Sequence, residues 1–513
     1  MADAPPNVLV LMSDQHNYRC LGYRDDVVGE PVSTPTFDRL ATDGVDFDQA
    51  YCPMPKCTPS RMCFLSGRRV PRAGAWNNGS WLRPELETLP EAFADAGYET
   101  CLVGKMHLGG DRQFGGFDHR PYGDLLGGNG HQYDPVSPED RVPPTTDPIN
   151  NENAGITDYP ESQHQEQIVE EETLAFLREH RHRSDDPWFL CASFSRPHDP
   201  YTTPPRHFER HEGEVPDPKI GPEGDTLEHP SARRYREGYT DEDPAVTEQA
   251  RAAYFANVDY LDEITGDLLA LLERDGFLEN TIVVYLSDHG DMIGEHGMWR
   301  KNIWFEGSVR VPMLLSLPEH RDGAGGPTVE TPTSLVDLYP TLCGLCGVDA
   351  PDGLDGTDLS AAIRAGREPD RGPVVTDQFS GMDYRMVREG DYKYVRFRDD
   401  DPEILIDLAE DPLERHNLVP DATGADAEAL ERLRSFVDDT LDFEAVIERR
   451  ERDRELARDH RIGAPTGITG NAYRLRTGQI VDAGVAVTNP DVLLEHPERV
   501  LIDDPAREDG EGS

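Results

Sequence analysis

Continuous apolar runs recur along the first two thirds of the chain, and each predicts a buried strand. They cover residues 7–13, 99–103, 187–194, 281–287 and 310–317. Each run is as short as an ordinary strand and lacks the polar–apolar alternation of a strand with one wet face. Runs of this kind are typical of a parallel sheet that is covered on both faces.

Segments with helical periodicity separate these runs, at residues 87–97, 164–180 and 252–274. In the third segment one helical face carries Phe255, Val258, Leu261, Ile264, Leu268 and Leu272. Strands that alternate with helices predict an α/β fold, with a mostly parallel central sheet flanked by helices. Two polar stretches rich in Gly and Pro, 110–165 and 203–245, predict long loops that shape a pocket.

The pattern changes after about residue 370. Residues 384–398 and 403–408 predict strands of a small antiparallel sheet, and residues 425–459 predict a highly charged helix. We therefore expect a main domain over residues 1–369 and a smaller C-terminal α+β subdomain over residues 370–513. The acidic end of that subdomain is expected to be a disordered tail.

The chain is strongly acidic, with a formal net charge of −49 and only five lysines among its 50 basic residues. Such a charge disfavours binding to nucleic acid or to an anionic membrane, so neither is an expected partner. An acidic, lysine-poor surface is typical of proteins that work in concentrated salt, which predicts a halophilic protein. Without a secretion signal or a membrane-spanning apolar run, the sequence predicts a cytoplasmic location.

The cysteines do not indicate a disulfide framework, because eight in 513 residues are too sparse. Cys343 and Cys346 have the spacing of a redox or zinc pair. They lie in an apolar run, however, and no second pair completes a set of four ligands. We predict that both are buried thiols.

Acidic and histidine side chains follow two of the predicted strands. Asp14 and Asp288 each come directly after an apolar run, and either one alone fits a helix cap equally well. Two carboxylates on adjacent strand ends would repel each other unless a cation lies between them. His289 could add a nitrogen ligand and Gln15 an amide oxygen, so the pattern predicts a site for a hard divalent cation.

Further cationic and imidazole groups lie near strand ends. Lys105 and His107 directly follow the strand predicted at 99–103, and Lys301 lies soon after the strand at 281–287. Each lysine taken alone fits a surface cation. His198 lies between two prolines, in a rigid turn that would hold an imidazole in place. The carboxyl ends of parallel strands meet at one edge of a sheet, where we expect the active site.

One cysteine has an unusual setting, in the segment Cys57-Thr58-Pro59-Ser60-Arg61. Pro59 fits the first turn of a helix, where its missing N–H has no cost. Cys57 would then lie at the positive end of the helix dipole, with Arg61 one turn further along. That arrangement favours an anionic centre, although a loop cysteine that merely precedes a proline fits the local sequence too.

The segment Cys57–Arg61 resembles the signature of the formylglycine-dependent (type I) sulfatases, which belong to the alkaline phosphatase superfamily. In these enzymes the cysteine is oxidised to an aldehyde. Other segments resemble sulfatase motifs in the same order: 7–15, 65–68, 104–109, 197–200, 287–301 and 405–412. The resemblance extends from residue 7 to about residue 418 and implies an alkaline-phosphatase-like fold and sulfate ester hydrolysis.

The resemblance also implies a role for each matching residue. Cys57 would become formylglycine, whose hydrate attacks sulfur. Arg61 would stabilise the hydrate, Lys105 and Lys301 would bind sulfate oxygens, His198 would protonate the leaving alcohol, and His107 would help to expel sulfate. Asp14, Gln15, Asp288, His289 and the Cys57 oxygen would bind a divalent metal, usually calcium in sulfatases. The implied partners are a small sulfated substrate and, transiently, a formylglycine-generating enzyme.

One departure from the common pattern leaves alternatives open. Many sulfatases have two consecutive aspartates where this chain has Asp14 and Gln15. Paired with Asp288 and His289, this arrangement resembles the branch that contains choline-sulfatase-like and phosphonate-monoester-hydrolase enzymes. The metal is therefore calcium or manganese, and a phosphonate monoester or phosphodiester is the alternative substrate. A third interpretation is a non-catalytic binder of sulfated glycans in which Cys57 stays a thiol.

Several further features are less specific. Trp76, Trp81 and Trp299 are candidates for stacking on a sugar ring, and each also fits ordinary packing. His16 is predicted to be structural or to lie behind the metal ligands. The oligomeric state is not indicated by the sequence.

Overall fold

The computed structural model describes residues 5–24, 28–109, 112, 114–121, 124, 151–157, 160–221, 227–239, 243–399, 401–459, 472–474 and 480–482. Its central sheet has seven strands. From one edge to the other they are Thr328–Val329, Val45–Phe47, Met313–Ser316, Thr281–Ser287, Asn7–Asp14, Trp188–Pro197 and Glu99–Gly104. The last four strands in this order are mutually parallel. The prediction of a mostly parallel sheet is confirmed.

The strand Asn7–Asp14 lies inside the sheet, between Thr281–Ser287 and Trp188–Pro197, and is buried on both faces. Val8, Val10 and Met12 face one hydrophobic core, whereas Leu9 and Leu11 face a second core on the other side of the sheet. Alternate side chains of a strand point to opposite faces, so a strand between two cores needs apolar residues at every position. This is why its sequence is a continuous apolar run.

The helices cover the two faces of the central sheet and pack against a second, smaller sheet that is described below. They are Pro35–Thr42, Cys57–Ser66, Val70–Ala73, Leu89–Asp95, Gln165–Arg183, Pro205–Phe208, Pro230–Arg236, Pro244–Arg274, Glu306–Val309, Leu338–Cys346, Ser360–Ala365, Gly424–Thr440 and Phe443–Asp459. No described helix is both long enough and apolar enough to cross a membrane.

Three predicted elements differ in extent from those observed. The helix predicted at 252–274 begins earlier, at Pro244, where Asp243 caps it by accepting the backbone N–H of Ala245 at 2.9 Å. The apolar run 310–317 is divided by Pro312 into a short strand of a separate sheet and a strand of the central sheet. The single helix predicted at 425–459 is two helices, because Leu441 has an extended backbone conformation.

A second sheet follows the main one along the chain. Its strands, Val374–Gln378, Tyr384–Glu389, Tyr392–Phe397 and Ile404–Asp407, are antiparallel and adjacent in chain order. The helix Gly424–Thr440 packs against it through Leu430, Leu433 and Val437. The predicted C-terminal antiparallel sheet is therefore present, whereas the domain boundary at residue 370 stays a prediction. Apart from the short strands Ala472–Arg474 and Ile480–Asp482, the predicted tail lies outside the described residues.

A buried ion pair joins the second sheet to the helix Glu306–Val309. Lys393 Nζ contacts Glu306 Oε1 at 3.0 Å and Glu414 Oε1 at 2.7 Å, and all three side chains are buried. The second carboxylate oxygen of Glu414 accepts the backbone N–H of Glu306 at 2.6 Å. Glu306 begins the helix that follows the segment containing Lys301. The second sheet thus supports the chain close to Lys301, one of the predicted catalytic residues.

Candidate active site

The carboxyl ends of the parallel strands bring the predicted site residues together. Asp14 is the last residue of the strand Asn7–Asp14. Asp288, Lys105 and His198 each directly follow the last residue of another of the four parallel strands. Because these strands are parallel, their carboxyl ends lie at the same edge of the sheet. Polar groups that are far apart in sequence therefore meet at one place.

Cys57 is the first residue of the helix Cys57–Ser66, as its position relative to Pro59 predicts. The preceding residue, Lys56, has an extended backbone conformation and serves as the N-cap. All ten residues of the helix are buried, which fixes it rigidly under the edge of the sheet. Its N-terminal end, with the positive end of the helix dipole, points at the thiol of Cys57.

Arg61 links three strand ends. Its Nε donates to Asp288 Oδ2 at 2.7 Å and its Nη2 to Asp14 Oδ2 at 3.1 Å. Its Nη1 donates to the backbone oxygen of Lys105 at 2.6 Å and to Ser193 Oγ at 2.9 Å. Although burial alone would lower the pKa of Arg61, the two aspartates raise it, so the guanidinium stays charged. Arg61 both neutralises the carboxylates and fixes their positions.

A cluster of potential metal ligands lies beside the helix end. One ligand atom from each of Asp14, Cys57, Asp288 and His289 lies within 4.8 Å of the others, and all four residues are buried. Cys57 Sγ is 3.2 Å from His289 Nε2 and 3.9 Å from Asp14 Oδ1. His289 Nδ1 lies 2.9 Å from the carbonyl oxygen of Gly290, so Nδ1 donates and Nε2 is left as the ligand atom.

The electrostatics of the site favour anions at Cys57 and Asp14. Burial and the nearby Cys57 would raise the pKa of Asp14, but Lys105, His198 and Arg61 outweigh them and hold it well below its usual value. Burial would likewise raise the pKa of the Cys57 thiol. Cationic neighbours, foremost Lys105, instead hold that pKa well below its ordinary value. The site therefore stabilises a negative centre at the position of the Cys57 side chain.

The lysine and histidine side chains surround the same point. Lys105 Nζ contacts Asp14 Oδ2, and Lys301 Nζ donates to His198 Nε2 at 2.8 Å. His198 Nδ1 lies 2.6 Å from the carbonyl oxygen of Asp199, to which it donates. His107 hydrogen bonds to the Cys57 side chain. The structure thus brings the other five predicted catalytic residues close to Cys57.

Gln15 has contacts that the sequence did not indicate. Its backbone has a positive φ of 69°, and its Nε2 donates to Asp291 Oδ2 at 2.5 Å and to Asp199 Oδ1 at 3.3 Å. Its Oε1 accepts a hydrogen bond from Lys301 Nζ. Gln15 therefore orients Lys301 in this structure, and its predicted role as a metal ligand stays a prediction.

Two buried aspartates that the sequence analysis missed support the site. Asp291 accepts hydrogen bonds from Gln15, from the hydroxyl of Tyr201 at 2.6 Å and from the backbone N–H of Arg300 at 2.8 Å. Asp124 accepts the backbone N–H groups of Met106 and His107. Asp291 lies within a sulfatase-like segment and could have been singled out there. Asp124 lies in a polar loop and carries no comparable signal.

Other predicted residues have structural positions. His16 is buried between the hydroxyl of Tyr285, 2.6 Å from Nδ1, and the carbonyl oxygen of Cys20, 2.7 Å from Nε2. Burial lowers its pKa to about 4, so it is neutral. Its predicted structural role agrees with these contacts.

The three tryptophans differ in their exposure. Trp76 and Trp299 are buried, which fits packing rather than stacking on a sugar ring. Trp76 donates from its indole nitrogen to Asp453 Oδ2 at 2.9 Å. Trp81 is partly exposed.

Cys343 and Cys346 are both free thiols, as predicted. Cys343 is buried as predicted, whereas Cys346 is partly exposed.

A cavity of about 430 Å³ is lined by Lys56 and Asn302, the chain neighbours of Cys57 and Lys301, and by none of the predicted catalytic residues themselves. The lining continues with Arg234, Tyr235, Gln378, Ser380, Gly381, Met382, Asp383, Phe397, Asp399 and Asp401. The stretch 203–245, predicted as a long loop, contributes Arg234 and Tyr235 to this pocket from the helix Pro230–Arg236, whereas most of the loop at 110–165 lies outside the described residues. Loops of the second sheet form the rest of the wall.

Comparison with known proteins agrees with this geometry. A sequence model of the family described as Sulfatase matches residues 6–348. A second, described as N-sulphoglucosamine sulphohydrolase, C-terminal, matches residues 294–437. The chain is 32% identical over 445 residues to a choline-sulfatase of Rhizobium meliloti, covering 83% of this chain and 84% of that protein. It is 29% identical to an arylsulfatase of Clostridium perfringens, covering 81% of this chain and 90% of that protein.

The fold is similar to those of solved structures. The phosphonate monoester hydrolase of Agrobacterium radiobacter superposes with a TM-score of 0.69 at 24% identity, covering 87% of this chain and 96% of the other. BT4656, solved with its substrate D-glucosamine-2-N,6-O-disulfate, gives a TM-score of 0.67 at 24% identity, covering 87% of this chain and 98% of the other. At this identity the two structures support the fold alone. Together with the family match over most of the chain, they show that this protein belongs to the sulfatase family of the alkaline phosphatase superfamily.

Proposed function

We propose that the protein is a sulfuric ester hydrolase that cleaves a sulfate monoester of an alcohol through a formylglycine formed from Cys57. The observation that carries the proposal is the position of Cys57. It begins a fully buried helix, and its Sγ lies among His289, Lys105 and Lys301, where a negative centre is stabilised. This environment suits an oxygen nucleophile that becomes anionic as it attacks.

The residues around Cys57 fit the two halves of such a reaction. One hydroxyl of the formylglycine hydrate loses its proton to solvent and attacks sulfur while the S–O bond to the alcohol breaks. His198, protonated on Nε2 when this atom no longer accepts from Lys301, gives that proton to the departing alcohol oxygen and later regains one from solvent. The second hydroxyl then loses its proton to His107, the bond to sulfate breaks, and the aldehyde is regenerated and hydrated again. Lys105 and Lys301 neutralise charge on the sulfate oxygens throughout.

The cluster of Asp14, Asp288, His289 and the Cys57 side chain fits a divalent metal. Two carboxylates, one imidazole nitrogen and the Cys57 position lie within reach of one ion, and all are buried. Oxygen-rich ligand sets suit calcium or manganese, and Gln15 could add an amide oxygen after a rotation of its side chain. When bound, the metal would polarise the ester and lower the pKa of the nucleophile.

The same burial constrains the modification of Cys57. All residues of the helix Cys57–Ser66 are buried, so a formylglycine-generating enzyme would have no access to Cys57 in the folded protein. We propose that this partner binds the segment transiently before the helix packs into the core.

A second candidate is hydrolysis of phosphonate monoesters or phosphodiesters through the same formylglycine. The pairing of Asp14 and Gln15 with Asp288 and His289 supports it, because this arrangement resembles the branch that contains choline-sulfatase-like and phosphonate-monoester-hydrolase enzymes. A third candidate, a non-catalytic binder of sulfated glycans, has no need of a nucleophile at the position of Cys57.

Matched substrates distinguish the three candidates. Rates of 4-nitrophenol release would be measured with 4-nitrophenyl sulfate, 4-nitrophenyl phenylphosphonate and bis(4-nitrophenyl) phosphate, for the parent protein, Cys57→Ala and the control Cys346→Ala. The proposal expects the highest kcat/KM for the sulfate and loss of activity in Cys57→Ala only. A preference for either phosphorus ester would favour the second candidate, and ligand binding that survives Cys57→Ala in an inactive parent would favour the third.

A further inference from the structure

The cavity beside Cys57 contains a cation that the proposed reaction does not use. Lys56 directly precedes the nucleophile, so the two Cα atoms are about 3.8 Å apart. Its side chain is mostly buried and lines the cavity instead of the cluster of metal ligands. A small molecule whose ester lies at Cys57 could therefore place a second group at Lys56.

The Lys56 ammonium group has no carboxylate partner. Its Nζ donates to Ser380 Oγ at 3.3 Å, and none of the described carboxylates forms an ion pair with it. A buried cation without a counter-charge is unfavourable, and an anionic ligand would relieve this.

The acidic residues of the cavity do not supply the missing counter-charge. Asp383 accepts from Arg398 Nη1 at 2.8 Å and from Arg450 Nη1 at 3.1 Å. Asp401 is paired with Arg234, which lines the cavity too. A third, Asp399, is largely exposed and lies 3.4 Å from Arg398 Nε. None of these three carboxylates is paired with Lys56.

The cavity also presents groups that suit a polar organic ligand. Gln378 is buried, and its Oε1 has no hydrogen-bond partner among the described residues. This oxygen could accept a hydrogen bond from a hydroxyl group of the ligand. The rings of Tyr235 and Phe397 supply apolar surface to the same lining. Such a combination fits a carbon skeleton that carries both an anionic group and hydroxyl groups.

We propose that Lys56 is a specificity-determining residue that binds a second anionic group, a carboxylate or a further sulfate, on the alcohol part of the substrate. This inference rests on the proposed sulfatase function. It assigns the substrate to the class of sulfate esters with an additional negative charge close to the ester. Esters whose alcohol part is cationic are disfavoured by the same charge.

The test compares three phenyl sulfates that differ only in a meta substituent: a carboxylate, a carboxamide or a trimethylammonium group. Their kcat/KM values would be measured at fixed ionic strength for the parent, Lys56→Met, Lys56→Arg and the control Lys219→Met. The Lys219→Met substitution removes an equal charge. Lys219 does not line the cavity, and its Nζ donates to the backbone oxygen of Gly29. Intrinsic differences between the leaving groups cancel when each variant is compared with the parent.

In Lys56→Met we expect kcat/KM to fall about 10- to 100-fold for the carboxylate, as expected for loss of a hydrogen bond to a charged group. The carboxamide should change less than about threefold and the trimethylammonium ester should improve, while Lys56→Arg and Lys219→Met keep the parent's preference. Equal losses for all three esters, or no change in their order, would overturn the inference.

Two controls separate this result from other causes. Because Lys56 adjoins the modified residue, mass spectrometry would give the formylglycine content of each variant, and rates would be normalised to it. A parent that hydrolyses none of the three esters would refute the proposed function itself. A parent that hydrolyses the neutral ester, but shows no preference dependent on Lys56, would refute this inference alone.

Discussion

At the residue scale, the site depends on a few side chains that serve two purposes. Arg61 is placed by the sequence motif next to the nucleophile, yet its hydrogen bonds go to Asp14, Asp288 and the backbone of Lys105. It therefore fixes the carboxylates that would hold a metal. The motif could predict that Arg61 is near the site but not its partners, because these come from strands far away in sequence.

His198 allows a prediction about the leaving group. His198→Asn removes the proposed proton donor and keeps a polar side chain of similar size. For alkyl sulfates, whose alkoxide is a poor leaving group, kcat should fall about 100- to 10,000-fold. For 4-nitrophenyl sulfate, which needs little protonation, the loss should be much smaller. The measurement is the dependence of kcat/KM on the pKa of the leaving alcohol, and an equal loss across the series would contradict the assigned role.

At the element scale, the strand ends were predictable and the pocket wall was not. The continuous apolar runs predicted the central strands because both faces of the sheet are covered by hydrophobic cores. The charged residues after those runs then indicated the site. The share of the pocket that comes from the second sheet, including Ser380 and Phe397, could not be predicted, because it depends on how that sheet packs. Asp124 was missed because it lies in a polar loop, and its contacts with Met106 and His107 depend on how that loop folds back.

The buried ion pairs of Lys393, in the second sheet, give a prediction at this scale. Lys393 contacts Glu306 and Glu414, both fully buried. Despite burial, Lys393 and nearby arginines lower the pKa of Glu306 to about 2, whereas burial and Glu306 raise the pKa of Glu414. Lys393→Met would leave two buried carboxylates without their cation and should reduce the free energy of unfolding by about 3–5 kcal/mol.

The loss in Lys393→Met should depend on pH. Without the lysine the pKa of both carboxyl groups rises in the folded state, so the folded variant binds more protons than the unfolded chain. Its stability is then retained in acid and lost as the pH rises through the folded-state pKa values. Urea unfolding of the variant and the parent at about pH 5 and about pH 8 would measure this. A constant difference between the two proteins would contradict the argument.

At the scale of the whole molecule, the dominant feature is the net charge of −49. Repulsion among surface carboxylates opposes compaction, and salt screens it, since the Debye length falls from about 10 Å at 0.1 M to about 3 Å at 1 M. We expect the melting temperature and the activity to rise with KCl over this range. Thermal unfolding at a series of KCl concentrations tests this, and full activity with an unchanged melting temperature in dilute buffer would contradict a halophilic protein.

The central claim, that Cys57 supplies a formylglycine nucleophile, is tested most directly by mass spectrometry. The peptide that contains Cys57 would be analysed in protein purified from its native host. The account predicts an aldehyde or its hydrate at this position, with the other cysteines unmodified. An unmodified thiol at Cys57, in a host that contains the modifying enzyme, would contradict it and would leave the protein without its proposed nucleophile.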